Sequence, residues 1–320
     1  MDTEGFRQFL QGRKIPEDKL ESFISIADKF EGLLESRTPD SSDVEIFATM
    51  LIREGLNTWD HFIALARYGQ FLGNNEVYRE AIALLDGSEV LDNLHERLGV
   101  LVGNQKRDEI LDGIGLPPLG LPTSHKPRVL RAVMERLEAR LDAETCDKLL
   151  SSSLRTLDDQ QYLQDKNKYQ ACASLDEFLV KRGQEFIAQL EQLKSEGRLF
   201  FTQEVTDDVI TFVRGNPLIS QGVREGNVLY EIKIPYMTKE YLAATDEKMK
   251  RYYYCHCPWV RESIKNGDVR VSPTFCQCSA GFVKKPWEVI FSQPLKAEVV
   301  ESVLTGALWC KIAIHLPNGV

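Results

Sequence analysis

Near residue 200 the spacing of apolar residues changes, and this limits what the chain can fold into more than any other feature. Upstream, apolar side chains recur every three or four positions, the repeat of a helix with one buried face. In PEDKLESFISIADKFEGLL they fall at Leu20, Phe23, Ile24, Ala27, Phe30 and Leu34, behind a Pro16 suited to a first helical turn. Ser42-Asp43-Val44-Glu45 has capping-box spacing and predicts a second helix through Ile52. Further helices are expected at about 58–72, 77–85, 90–101, 127–141 and 143–152. A last one is expected from the capping box Ser174-Leu175-Asp176-Glu177 to near Gly197. No repeat of fixed period stands out, so a solenoid has no support.

Downstream, side chains alternate. VLYEIKIPYM (228–237) sets Val228, Tyr230, Ile232 and Ile234 against Leu229, Glu231 and Lys233, the pattern of a half-buried strand. KRYYYCHCPW, VRVSPTFCQC, LKAEVVESVL and ALWCKIAIHL are rich in aromatic and β-branched residues and are expected to be extended. Between the helical regions, GIGLPPLGLPTSHKP (113–127) holds four prolines and three glycines and cannot continue a helix. It reads as a linker or an ordered crossing loop. The expected fold class is therefore α+β, with an all-helical domain over 1–112, the Pro/Gly segment 113–127, and an antiparallel-sheet plus helix domain over 128–320.

Charge and composition narrow the function classes. The chain has 320 residues, 43% of them hydrophobic and 27% charged, with a formal net charge of -9, as in a folded globular protein. That balance argues against nucleic acid as a partner, since nucleic-acid binders carry basic surfaces. MDTEGFRQFLQGRKIPEDK lacks the apolar stretch of a secretory signal, and no run approaches the roughly 18 apolar residues of a membrane span. The expected location is cytoplasmic, with no membrane partner and with thiols kept reduced; a homo-oligomer is left open. The glycine-rich nucleotide-binding signatures and the G-x-S-x-G nucleophile elbow do not occur.

Five of the seven cysteines lie beyond residue 250, four of them as Cys255-x-Cys257 and Cys276-x-Cys278. In extended chain, residues i and i+2 share a face. A hairpin turning at Asn266-Gly267 would set Cys255 opposite Cys278 and Cys257 opposite Cys276, while leaving His256 on the other face. Pro258 and Pro273 interrupt such a ladder, and WVRESIKNG could equally form a short helix. A flat hairpin also spaces its thiols too widely to close four around one zinc ion. A second hairpin at Thr305-Gly306 would put Glu301 opposite Cys310, with His315 alternating away. Cys255, Cys257, Cys276, Cys278 and Cys310 are thus the candidate metal ligands and zinc the candidate cofactor. Thiol chemistry and plain packing of buried cysteines remain alternatives. Glu301 is the candidate catalytic base. Tyr253, Trp259 and Trp287 offer an aromatic wall, and Arg224 and Arg261 offer guanidinium groups to a ligand. Turn chemistry accounts equally well for Arg224 within GVREGN.

CHCPWVRESI, FCQCSAGF and the ending ESVLTG–WCKIAIHLP resemble the 4-vinyl reductase domain and its uncharacterised bacterial relatives. The ending is also similar to that of the L-2-amino-thiazoline-4-carboxylic acid hydrolase-like proteins. The resemblance spans roughly residues 127–320 and is specific over the last seventy. It carries onto Cys255, Cys257, Cys276, Cys278, Gly281, Glu301 and Cys310, and it departs at Ala307-Leu308, where an acidic residue would be expected after Gly306. It implies an α+β fold that binds a small molecule, with a metal or thiol site, and supplies no reaction. The expected function is small-molecule binding in a Cys-lined pocket that zinc could occupy. The alternatives are a metal-dependent hydrolase acting on a small heterocycle or amide, and a structural zinc beside an interacting helical domain.

Overall fold

A computed structural model describes residues 1–35 and 37–320. The chain divides into two compact units, one of Met1–Ser88 with Gly115–Val129 and the other of Glu89–Ile114 with Leu130–Val320. The first unit is helical: α1 (Thr3–Gly12), α2 (Glu17–Leu34), α3 (Ser41–Arg53), α4 (Trp59–Phe71) and α5 (Asn75–Leu85). The stripe expected on α2 is the buried one, and it joins Phe6, Phe47, Phe62 and Tyr68 in a single core. The N-terminus of α3 is set differently from expectation. Asp40 is its cap, accepting from the backbone N–H groups of Ser42 and Asp43, and Asp43 completes the box by accepting from Asp40. Aspartate also caps well, so the box starts two residues earlier than the Ser-x-x-Glu spacing suggests.

The Pro/Gly segment is an ordered strap on this helical unit. The Asn57 side-chain amide donates to the Leu119 carbonyl at 3.0 Å, and Thr123 bonds Glu45 and Glu80 at 2.9 and 2.7 Å. Lys126 reaches the Ala83 carbonyl at 2.6 Å, near the C-terminal end of α5. Gly120, at φ +80°, lies so close to Phe62 that a Cβ would stand 2.0 Å from its ring. Positive φ and lack of space together require glycine there.

The second unit holds the remaining elements. They are α6 (Glu89–Val102), α7 (Asn104–Ile110), α8 (Lys126–Arg140, within which the chain crosses between units), α9 (Ala143–Leu150), α10 (Leu163–Gln170), α11 (Leu175–Ser195), α12 (Asp207–Arg214), α13 (Pro217–Ser220), β1 (Val223–Glu225), β2 (Val228–Ile232), α14 (Thr238–Ala243), α15 (Glu247–Tyr254), α16 (Arg261–Asn266), α17 (Gln277–Phe291), β3 (Ala297–Glu301) and β4 (Lys311–His315). The four strands form one antiparallel sheet in the order β1-β2-β4-β3. The α+β class therefore holds, with helix predominating. Leu175, Phe178 and Leu179 of α11 and Ala280, Val283, Trp287 and Ile290 of α17 pack with Leu229, Ala297, Ile312 and Ile314 of the sheet.

Two expectations for strands fail. KRYYY is the end of α15, and VRVSPTFCQC is irregular chain and a 3-10 turn running into α17. Asn266-Gly267 does not turn a hairpin. Gly267, at φ +71°, closes α16 as a left-handed C-cap, so the short-helix alternative for WVRESIKNG is the one realised. The same dipeptide serves both ends because both need a residue in the left-handed region. On β2 the expected alternation holds only in part, since Ile232 and Ile234 are buried but so are residues of the opposite set. Leu229 and Glu231 are buried, whereas Val228 and Tyr230 are half-buried. Glu231 tolerates this because Arg182 of α11 pairs with it, and buried carboxylates persist when paired. Among the described residues, no helix is long and apolar enough to cross a membrane.

Candidate functional site

Three separate stretches of the second unit bring the five C-terminal cysteines near one another. Cys255 follows the last turn of α15, and Cys257 lies two residues on in the loop. Cys276 ends the 3-10 turn Pro273–Cys276, and Cys278 sits in the first turn of α17. Cys310 directly precedes β4. The pairs do not face one another across a ladder. In α17, positions two apart point to different sides of the helix, so convergence comes from the folding of the loops rather than from a shared strand face.

Ser302 ties part of the cluster together. Its hydroxyl lies 3.2 Å from the Cys276 sulfur and also bonds the Cys310 thiol, which the Val303 backbone contacts as well. The tight turn Val303–Thr305 holds this serine in place: its carbonyl accepts from the N–H groups of Thr305 at 3.0 Å and Ala307 at 3.2 Å. Tyr254 donates its hydroxyl to the Cys310 carbonyl at 3.2 Å. Gly281, one turn after Cys278, lets α17 approach the segment after α9; a Cβ there would lie 2.8 Å from the Ser151 carbonyl oxygen and 2.9 Å from the Ser153 nitrogen. The Ser153 hydroxyl donates back to the Gly281 carbonyl at 3.1 Å.

Burial governs the electrostatics. It pushes the Cys278 thiol from 9.0 up to about 12, with Cys257 adding to the rise and Arg155 and Lys233 opposing it. Burial likewise raises Cys255, Cys276 and Cys310, and the first two feel neighbouring thiols as well. At neutral pH all four are neutral S–H groups, which are poor nucleophiles. In their midst stands Lys233, one residue beyond β2. Its ammonium lies 4.4 Å from the centre of the Phe282 ring. Burial lowers its pKa, the Arg155 guanidinium lowers it further, and Cys310, Cys278 and Cys257 oppose the change.

The other candidates are distributed. Trp259 is buried, and Arg261 is buried with its guanidinium over Tyr236 at 4.6 Å and Tyr252 at 5.7 Å. Tyr253 stacks edge-on with Tyr252, and its carbonyl accepts from Met237 at 3.0 Å. Trp287 belongs to the core between helices and sheet, nine residues and roughly 13 Å of helix beyond Cys278. Arg224 bonds the Gly226 carbonyl at 2.9 Å and also the carbonyl of Val320. His256 bonds the Ile234 carbonyl at 2.6 Å, and His315 pairs with Glu298 at 2.8 Å. Glu301 does not face Cys310. The expected register holds at Ala297–Ile314, Glu298–Ala313 and Val299–Ile312, and then a bulge at Val300 sets Glu301 opposite Lys311.

Among the described residues, no three His, Cys, Asp or Glu side chains are placed to hold one metal ion. Lys233, Ser302 and Arg155 escape sequence reasoning. Lys233 carries a faint signal, a lysine between two isoleucines in IKIPYM. Comparison with protein-family models, curated proteins and solved structures finds no match for this chain.

Proposed function

We propose that the second unit binds a small molecule, and that its site is the thiol-lined region around Lys233. One observation carries this reading. The half-buried Lys233 carries its ammonium among the Cys257, Cys278 and Cys310 thiols, and among the described residues no carboxylate pairs with it. Lysine is almost never buried in a purely structural core unless it is paired. A leucine or methionine would fill the same volume without the cost of desolvating a charge. Around Lys233, Ser302 and the S–H groups supply further polar contacts. The hydrolase alternative gains no support, because the bulge in β3 turns Glu301 away from Cys310.

A fragment screen on the whole protein tests the proposal, with ligand-observed NMR and thermal unfolding as readouts. Ligands should raise the unfolding midpoint, since a ligand at about 100 times its Kd stabilises by about 2.7 kcal/mol. Binding should weaken in Ser302→Ala and Lys233→Met. Fragments that bind both variants unchanged, or stoichiometric zinc in the purified protein, would overturn this reading.

A further inference from the structure

The chemistry of the site points to a class of ligand. We propose that Lys233 is a carbonyl-reactive amine, and that a small aldehyde or ketone entering the thiol-lined site condenses with its Nζ to form a Schiff base. The inference rests on the small-molecule reading above and deepens it.

The geometry provides what an amine nucleophile needs. Lys233 is anchored at the end of β2, in the centre of the sheet. Phe282 presents its ring to Nζ at 4.4 Å, and Cys278 lies one helical turn before it on the same face of α17. The groups around the amine come from four places: Arg155 after α9, Cys257 after α15, Cys278 on α17 and Cys310 before β4. Glu89 pairs with Arg155 at 3.2 Å, so its charge is directed to the guanidinium. Among the described residues no carboxylate holds Lys233 as ammonium. Desolvation and a neighbouring cation are the two features that favour the free-amine form of a lysine, and both act here in the lowering direction.

The step balances without an oxidant or cofactor. The Nζ lone pair forms a bond to the carbonyl carbon as the C=O π pair moves onto oxygen. That oxygen takes a proton from nitrogen to give a carbinolamine. Nitrogen then expels the oxygen as water, the second proton coming from nitrogen through solvent or an S–H group, and the C=N bond remains. One water leaves, and hydrolysis reverses the step. Because the Cys278 and Cys310 thiols are held protonated by burial, they compete weakly for the carbonyl carbon.

The test is reductive trapping on the intact protein. The probe is propionaldehyde at substoichiometric concentration with sodium cyanoborohydride, followed by peptide mapping by mass spectrometry. Propylation of Lys233 should exceed that of an exposed lysine such as Lys248 severalfold at pH 7, because a lowered pKa leaves more of the amine as free base. The excess should shrink as pH rises towards 10, where ordinary lysines also deprotonate. Lys233→Arg should abolish this adduct without raising the others. Trapping spread across exposed lysines, with Lys233 no higher, overturns the inference. If fragments still bind in the screen above and weaken in Ser302→Ala, only the carbonyl chemistry falls, and the binding site stands.

Discussion

At the scale of single residues, the thiols and the amine make opposite demands on protonation. Cys278 is raised from 9.0 to about 12 by burial, so the folded state holds its proton where the unfolded chain releases it. Its contribution to stability is fully present below pH 9.0 and is lost as pH rises towards 12. Lys233 is lowered from 10.5, so its contribution is present above 10.5 and is lost as pH falls through its folded value. Four raised thiols outweigh one lowered amine in the alkaline range. The unfolding midpoint should therefore fall steeply above pH 9, and Cys278→Ala should flatten that slope even if it lowers the midpoint at pH 7. Calorimetric scans between pH 7 and 11 check this; parallel slopes for both proteins would contradict the assignment.

At the scale of elements, the sheet depends on a charge pair on its covered face. Arg182 of α11 meets Glu231 of β2, with side chains 32% and 11% exposed, and its guanidinium lies 5.0 Å from the ring centre of Trp287. Removing the cation leaves a carboxylate in a largely dry position. Arg182→Met should cost about 2 kcal/mol, below the range for a fully buried pair because the arginine keeps some solvent. The double variant with Glu231→Leu should recover most of that loss. Urea unfolding of the two variants reads the coupling, and equal losses in both would refute it. The bulge at Val300 matters in the same way: one extra residue in β3 decides that Lys311, not Cys310, faces Glu301.

At the scale of the molecule, boundaries drawn from composition miss how the chain is shared. The Pro/Gly segment divides the sequence visually, yet Gly115–Val129 packs with the first helices, and Glu89–Ile114 belongs to the second unit. Asn93 of α6 donates to the Leu154 carbonyl at 2.8 Å, and Arg155 pairs with Glu89. A fragment of 128–320 would lack α6 and expose the face it covers. That fragment should fail to unfold cooperatively, while 89–320 should retain a cooperative transition by near-UV circular dichroism. Similar transitions in both would show that α6 is dispensable.

The sequence by itself determined α2 to α6, α8, α9 and α11, because these report their own period and punctuation locally, as in the stripe on α2 and the Ser174 cap of α11, and it showed the extended chain of β2 and β4 by alternation. The registers of the terminal hairpin were legible up to the bulge for the same reason. It also marked Cys255, Cys257, Cys276, Cys278 and Cys310 as unusual by their spacing. It could not decide how they meet. Asn266-Gly267 satisfies a helix cap and a hairpin turn equally, and only the packing of α16 against α15 selects the cap. Likewise, alternation shows that β2 has two faces but not which is covered; Arg182 is 49 residues from Glu231 in sequence. Lys233 becomes the centre of the candidate site only when four distant segments close around it, and that proximity is a property of the folded chain alone.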